Sequence, residues 1–110
     1  MKGRKMNYKE TSQYLKVIAD SNRLEILDLL SCGEQCACDL LEHFSFSQPT
    51  LSHHMKVLKD NNLVTYRKEG NKNLYKLNHD VLDDITKRLT LLNANHMPCI
   101  CDTITKGVCN

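Results

Sequence analysis

Tyr8, Thr11, Leu15 and Ile18 recur at i, i+3, i+7 and i+10, which predicts an amphipathic helix over residues 8–19. Asp20-Ser21-Asn22 punctuates it, and Asn22 with Glu25 three residues on has the form of a capping box opening a second helix. That helix carries Leu24, Leu27 and Leu30 on one face, widened by Ile26 and Leu29, and Ser31-Cys32-Gly33 ends it. A short third helix is predicted over 37–43, with Leu40, Leu41 and Phe44 turned inward. The fourth is marked most clearly. Ser47 or Gln48 can cap it, Pro49 suits a first turn where a missing N–H costs nothing, and Leu51, Met55 and Leu58 form its buried stripe. After Asn61-Asn62, two alternating runs over 63–68 and 73–77 predict short strands around a Gly70-Asn71 turn. A last helix follows Asn78, with Leu82, Ile85, Leu89 and Leu92 in helical spacing, and from Asn93 the pattern loosens into a tail.

A short helix, a tight turn and a polar-faced helix make a helix-turn-helix, and a basic two-stranded hairpin directly behind it makes a wing. The fold expected is mainly α with a β-hairpin wing. It places a winged helix-turn-helix DNA-binding and dimerisation domain over 1–93, with the helix-turn-helix at about 37–61, the wing at 63–77, and a cysteine-containing tail over 94–110. On the fourth helix Ser47, Gln48, Thr50, Ser52, His53 and Lys56 can hydrogen-bond base edges or phosphates of duplex DNA. Arg67, Lys68 and Lys72 near the wing tip suit backbone phosphates, which set register without reading sequence. The apolar stripes of the first and last helices exceed what so small a core needs, which suggests a two-fold homodimer buried through them.

Composition narrows the class. The 110 residues are one domain's worth, 41% hydrophobic and 25% charged, values of a globular chain. No apolar run is long enough to span a membrane, and the basic start MKGRKMNYKE leads into no apolar stretch of a secretory signal, so a cytoplasmic protein is expected. The net charge of +2 is unevenly spread. Residues 20–42 hold six acidic groups and one basic, whereas 47–76 hold Lys56, Lys59, Arg67, Lys68, Lys72 and Lys76 against only Asp60 and Glu69. Six cysteines fall in two clusters, Cys32/Cys36/Cys38 and Cys99/Cys101/Cys109. Such clustering points to reduced thiols that bind a soft metal or do redox chemistry, ahead of a secreted disulfide framework.

The segments SNRLEILDLL (21–30), GEQCACDLL (33–41), SQPTLSHHMKVL (47–58) and LVTYRKEGNKNLYKL (63–77) resemble, in order, the ArsR/SmtB family of metal-sensing winged-helix repressors. The resemblance covers roughly residues 8–93. It implies a homodimer that sits on an operator, needs no cofactor to do so, and leaves when As(III) or Sb(III) binds. It also implies control of a resistance operon.

Thiol chemistry agrees with that implication. Arsenite and antimonite are thiophilic, and three thiolates can replace their three oxygens. Cys36 and Cys38 would point roughly 200° apart inside one helix, so they converge only if Cys36 lies in the lead-in and Cys38 in the first turn. A helix N-terminus also favours the thiolate. The arsenic-sensing relatives carry a third cysteine where this chain has Leu41, so the third ligand stays open: Cys32 first, otherwise Cys99, Cys101 or Cys109 from the tail. The zinc site that other members build on the last helix lacks its usual start here. His79, Asp80, Asp83, Asp84 and His96 read as a cap and solvated charges. His54 falls where the family has a structural histidine.

Two other functions are open to a chain of this pattern. One keeps the fold but senses Cd(II), Pb(II), Zn(II) or thiol redox state. The other is a small thiol enzyme, weakened by the absence of a CxxC, a phosphate loop or strand–helix alternation.

Overall fold

Helix α1 (Tyr8–Ile18) opens with a capping box: Asn7 Oδ1 accepts the Glu10 N–H at 2.7 Å, and the Glu10 carboxylate accepts the Asn7 N–H at 3.2 Å. The computed structural model describes residues 6–93, so the tail over 94–110 and the basic residues Lys2, Arg4 and Lys5 lie outside the described residues. The second capping box expected at Asn22 and Glu25 does not form. Asp20 caps α2 (Ser21–Leu30) instead, its carboxylate taking the Asn22 and Arg23 N–H groups at 2.9 and 3.1 Å. Asn22 is already inside the helix, and a carboxylate suits the positive end of the helix dipole.

Apolar residues nearly surround α2, so pattern alone did not settle which face is buried. Ile26, Leu27 and Leu30 enter the core, and Leu24, expected there, stands 55% exposed. Gly33, at φ 132°, then turns the chain into β1 (Gln35–Cys36), a two-residue strand that the pattern did not announce. It leads directly into α3 (Ala37–His43), whose Leu40 is buried.

Phe44 and Phe46 stack at 4.6 Å in the turn before α4 (Gln48–Asp60). That helix starts as expected, with Ser47 at its cap and Pro49 in the first turn. It ends on Asn62, at φ 63°, where the Leu63 N–H reaches Leu58 O and the Asn62 N–H reaches Lys59 O, both at 3.0 Å. This crossed pair is a Schellman ending, which satisfies the last carbonyls and stops the helix sharply.

The wing is β2 (Val64–Glu69) and β3 (Lys72–Leu77), joined by a turn with Gly70 at φ 60°. The sheet is antiparallel with order β1-β3-β2, so β1 closes one edge of the hairpin. Helix α5 (His79–Asn93) returns beside α1 and contributes Ile85 to the core. The core itself runs from Ile26 and Leu30 through Leu40, Leu51, Met55 and Leu58 to Leu63, Val64 and Leu77. Both helices of the helix-turn-helix and the root of the wing are thus fixed to one apolar mass.

Candidate functional site

Along α4 the buried side is Leu51, His54, Met55 and Leu58, which leaves Gln48, Ser52, His53 and Lys56 exposed on the outer side. The Ser47 hydroxyl is engaged as the cap, accepting the Thr50 N–H at 3.4 Å with the Thr50 hydroxyl 3.2 Å away. Those two oxygens therefore stabilise the helix start, and Gln48, Ser52 and His53 are the exposed polar groups of the first two turns. Lys56 Nζ lies 2.8 Å from Asp60, a pairing that raises the lysine's pKa and lowers that of the aspartate.

The wing differs from the simple expectation of three solvent-facing cations. Arg67 is gripped by Glu34, Nε and one terminal nitrogen each 2.9 Å from a carboxylate oxygen, while its other terminal nitrogen lies 3.4 Å from Glu69. The Glu34 carboxyl is held below its ordinary range by the Arg67 hydrogen bond. Lys68 and Lys72 flank the turn and are exposed. Tyr66, half-open to solvent, donates its hydroxyl to Asn73 at 2.8 Å and takes Lys59 over its ring at 5.6 Å. Sequence reasoning passed over this Tyr66–Lys59–Asn73 group. The alternation of β2, which sets Tyr66 and Lys68 on one face of the strand, was the available signal.

At the other edge of the sheet, Cys36 is the N-cap of α3 and Cys38 lies in its first turn, the arrangement that convergence requires. Cys36 Sγ accepts the Asp39 N–H at 3.4 Å and is buried, whereas Cys38 is exposed. The two cysteines were expected as free thiols; they are joined as a disulfide, with Cα atoms 5.4 Å apart. Closing so short a loop removes little chain entropy, so this bond is no framework staple. Sulfurs of Cys36 and Cys38 and a carboxylate oxygen of Asp39 all lie within 4.8 Å of one another, the one such cluster among the described residues. Cys32, expected as the third donor, is an exposed free thiol after α2 and outside this cluster. Cys99, Cys101 and Cys109, like His96, lie outside the described residues. His79, Asp80, Asp83 and Asp84 on α5 form no metal-ligating cluster.

The cysteine pair and α4 share a cavity of about 280 Å³, lined on one side by Cys36, Cys38 and Leu41 and on the other by Gln48, Ser52 and Met55. Asn71, Lys72, Asn73 and Tyr75 of the wing complete its wall. Behind α4, Arg23 joins three elements: its Nε donates to Val17 O at 2.7 Å and a terminal nitrogen lies 3.3 Å from His54 Nδ1. Burial lowers the His54 pKa below its ordinary value, and the Arg23 cation adds to that; Asp20 acts the other way. Among the described residues, no helix is long and apolar enough to cross a membrane.

Residues 20–66 match the family model described as bacterial regulatory protein, arsR family. The chain is 64% identical over 104 residues to the arsenical resistance operon repressor of Staphylococcus aureus, covering 94% of this chain and all of that one. Its structure resembles the crystal structure of a possible transcriptional regulator for arsenical resistance, with TM-score 0.67 and 32% identity over 74% of this chain and 84% of the other. It also resembles the homodimeric winged helix-turn-helix DNA-binding domain of a possible ArsR-family regulator from Mycobacterium bovis, with TM-score 0.64 and 26% identity over 84% and 91% of the two chains.

Proposed function

Since the chain belongs to the arsR family of bacterial regulatory proteins, we propose that this winged-helix transcriptional repressor binds operator DNA as a homodimer and dissociates when As(III) or Sb(III) is taken by its cysteine thiolates. The observation that carries the reading is the cavity common to Cys36, Cys38 and the exposed face of α4. A ligand drawn onto those sulfurs acts on the start of α3, and α3 supports α4 through Leu40 and Leu41 in the same core. Differential binding to a state that no longer fits DNA is what shifts the equilibrium.

The donors suit the ion. A reduced Cys36–Cys38 pair offers two soft sulfurs with pyramidal access from solvent on the Cys38 side, and the third position goes to Cys32 or to a tail cysteine, Cys99, Cys101 or Cys109. On the DNA side, Gln48, Ser52 and His53 approach base edges, with Ser47 and Thr50 setting the helix start. Lys56, Lys68 and Lys72 approach phosphates, and Arg67 serves the wing from its ion pair. The operon controlled is one for arsenical resistance, in keeping with the name of the Staphylococcus relative.

The test is operator binding by fluorescence anisotropy under reducing conditions, titrated with arsenite, antimonite, cadmium and zinc. Arsenite should weaken binding by about tenfold or more, the usual range of allosteric coupling. Cys36→Ser and Cys38→Ser should still bind DNA and no longer release it. Full arsenite response in Cys36→Ser overturns the site. Comparing Cys32→Ser with a chain cut after Asn95 assigns the third donor. The disulfide favours a second reading, release by oxidation. Peroxide without arsenite, reversed by a dithiol, would establish it.

A further inference from the structure

Glu34 stands two residues before Cys36 and spans the sheet to reach Arg67 on the far strand. In the register Cys36 faces Leu74 on β3, and Leu74 faces Arg67 on β2. Directly opposed residues share a face of the sheet, so Cys36, Leu74 and Arg67 form one row across three strands. The β1–β3 ladder is only two residues long, and β1 makes no ladder with β2. The bidentate Glu34–Arg67 pair, both contacts 2.9 Å, is a second tether and bypasses β3 altogether. Fork-on-carboxylate geometry fixes direction as well as distance.

We propose that Glu34 is a positioning residue of the switch: it links the strand that carries Cys36 to the wing through Arg67, so that occupation of the thiol site is passed to the wing as well as to α4. The inference rests on the arsenite-responsive reading above. When Cys36 turns from the Asp39 N–H to an inducer, β1 shifts with it, and Glu34 carries Arg67 and β2 along. With Nε on Glu34 and its remaining nitrogens between Glu34 and Glu69, Arg67 orients the wing instead of serving as a mobile phosphate contact.

The readout is the ratio of operator Kd with saturating arsenite to operator Kd without it, measured under reducing conditions for wild type, Glu34→Gln, Arg67→Gln and the double variant. Glu34→Gln should leave arsenite-free Kd within about threefold of wild type and lower the ratio at least about threefold. The double variant should show the same ratio as either single one, because both changes cut one link. A lost charge alone would shift both Kd values equally and leave the ratio untouched; that result, with normal wild-type release, overturns the proposal. Failure of wild type to release DNA overturns the arsenite reading and this coupling together. Thermal melts confirm that each variant is folded.

Discussion

His54 is the only non-apolar side chain on the buried face of α4, and its partner Arg23 already spends Nε on the Val17 carbonyl. With a cation on one side, His54 Nδ1 must be the acceptor and the proton must sit on Nε2. The groups facing it are Arg23 and Asp20 from the α2 start, His53 on its own helix and the Phe46 ring 5.7 Å away. Burial is the largest influence, so the folded protein holds His54 neutral below the 6.5 at which the unfolded chain takes a proton. The folded state therefore binds fewer protons, and its contribution to stability, full above 6.5, declines as pH falls from there towards the depressed folded value. Urea unfolding of wild type and His54→Gln at pH 8 and pH 5.5 should show wild type losing more stability on acidification. At pH 8 His54→Gln should cost about 1–3 kcal/mol through the disturbed Arg23 contact. Equal pH slopes for the two proteins would show that His54 does not titrate against folding.

At the scale of elements, two glycines separate backbone strain from packing. A Cβ at Gly33 or Gly70 would meet nothing within 4 Å, so any cost of alanine there comes from φ alone. Gly70 at φ 60° is in the left-handed region that other residues enter for about 1–2 kcal/mol, whereas Gly33 at φ 132° lies where L residues hardly go. Gly33→Ala should therefore lower the melting temperature more than Gly70→Ala, and it should also disturb β1 and the thiols behind it. These same elements show what pattern can and cannot reveal. Helix α4 and the wing hairpin were legible because each couples a periodic pattern to a cap or turn residue, and α3 and α5 because their apolar spacing is helical. Strand β1 was not, since two residues hold no alternation and their pairing partners, Leu74 and Tyr75, are some forty positions on. Leu24 was misassigned because LEILDLL is apolar almost all round, and only the placement of α4 decides that Ile26 is the buried one. The Cys36–Cys38 convergence followed from helix geometry, but the Glu34–Arg67 grip joins residues 33 apart and no local rule reports it.

At the scale of the whole molecule, the described residues leave apolar side chains outside their own core. Tyr8 is 66% exposed, Leu91 42% and Leu92 76%, all on α1 and α5, which lie side by side. Leu89, at 39%, lies one turn before Leu92 on the same face of α5. Exposed large apolar side chains on two neighbouring helices are what a two-fold interface would cover. A dimer would set two α4 helices against successive turns of the duplex and double the phosphate contacts. Six to ten such contacts make affinity fall by about 10³–10⁵ between 50 and 200 mM salt, and a monomer with half of them loses only the square root of that factor. Leu89→Lys with Leu92→Lys should yield a monomer by sedimentation, folded but binding operator weakly, with a log Kd against log salt slope about half that of wild type. A double variant that sediments as a dimer with the wild-type slope would remove the last helix from the interface. If it is instead monomeric with an undiminished slope, one subunit already makes every phosphate contact and two-fold operator binding fails.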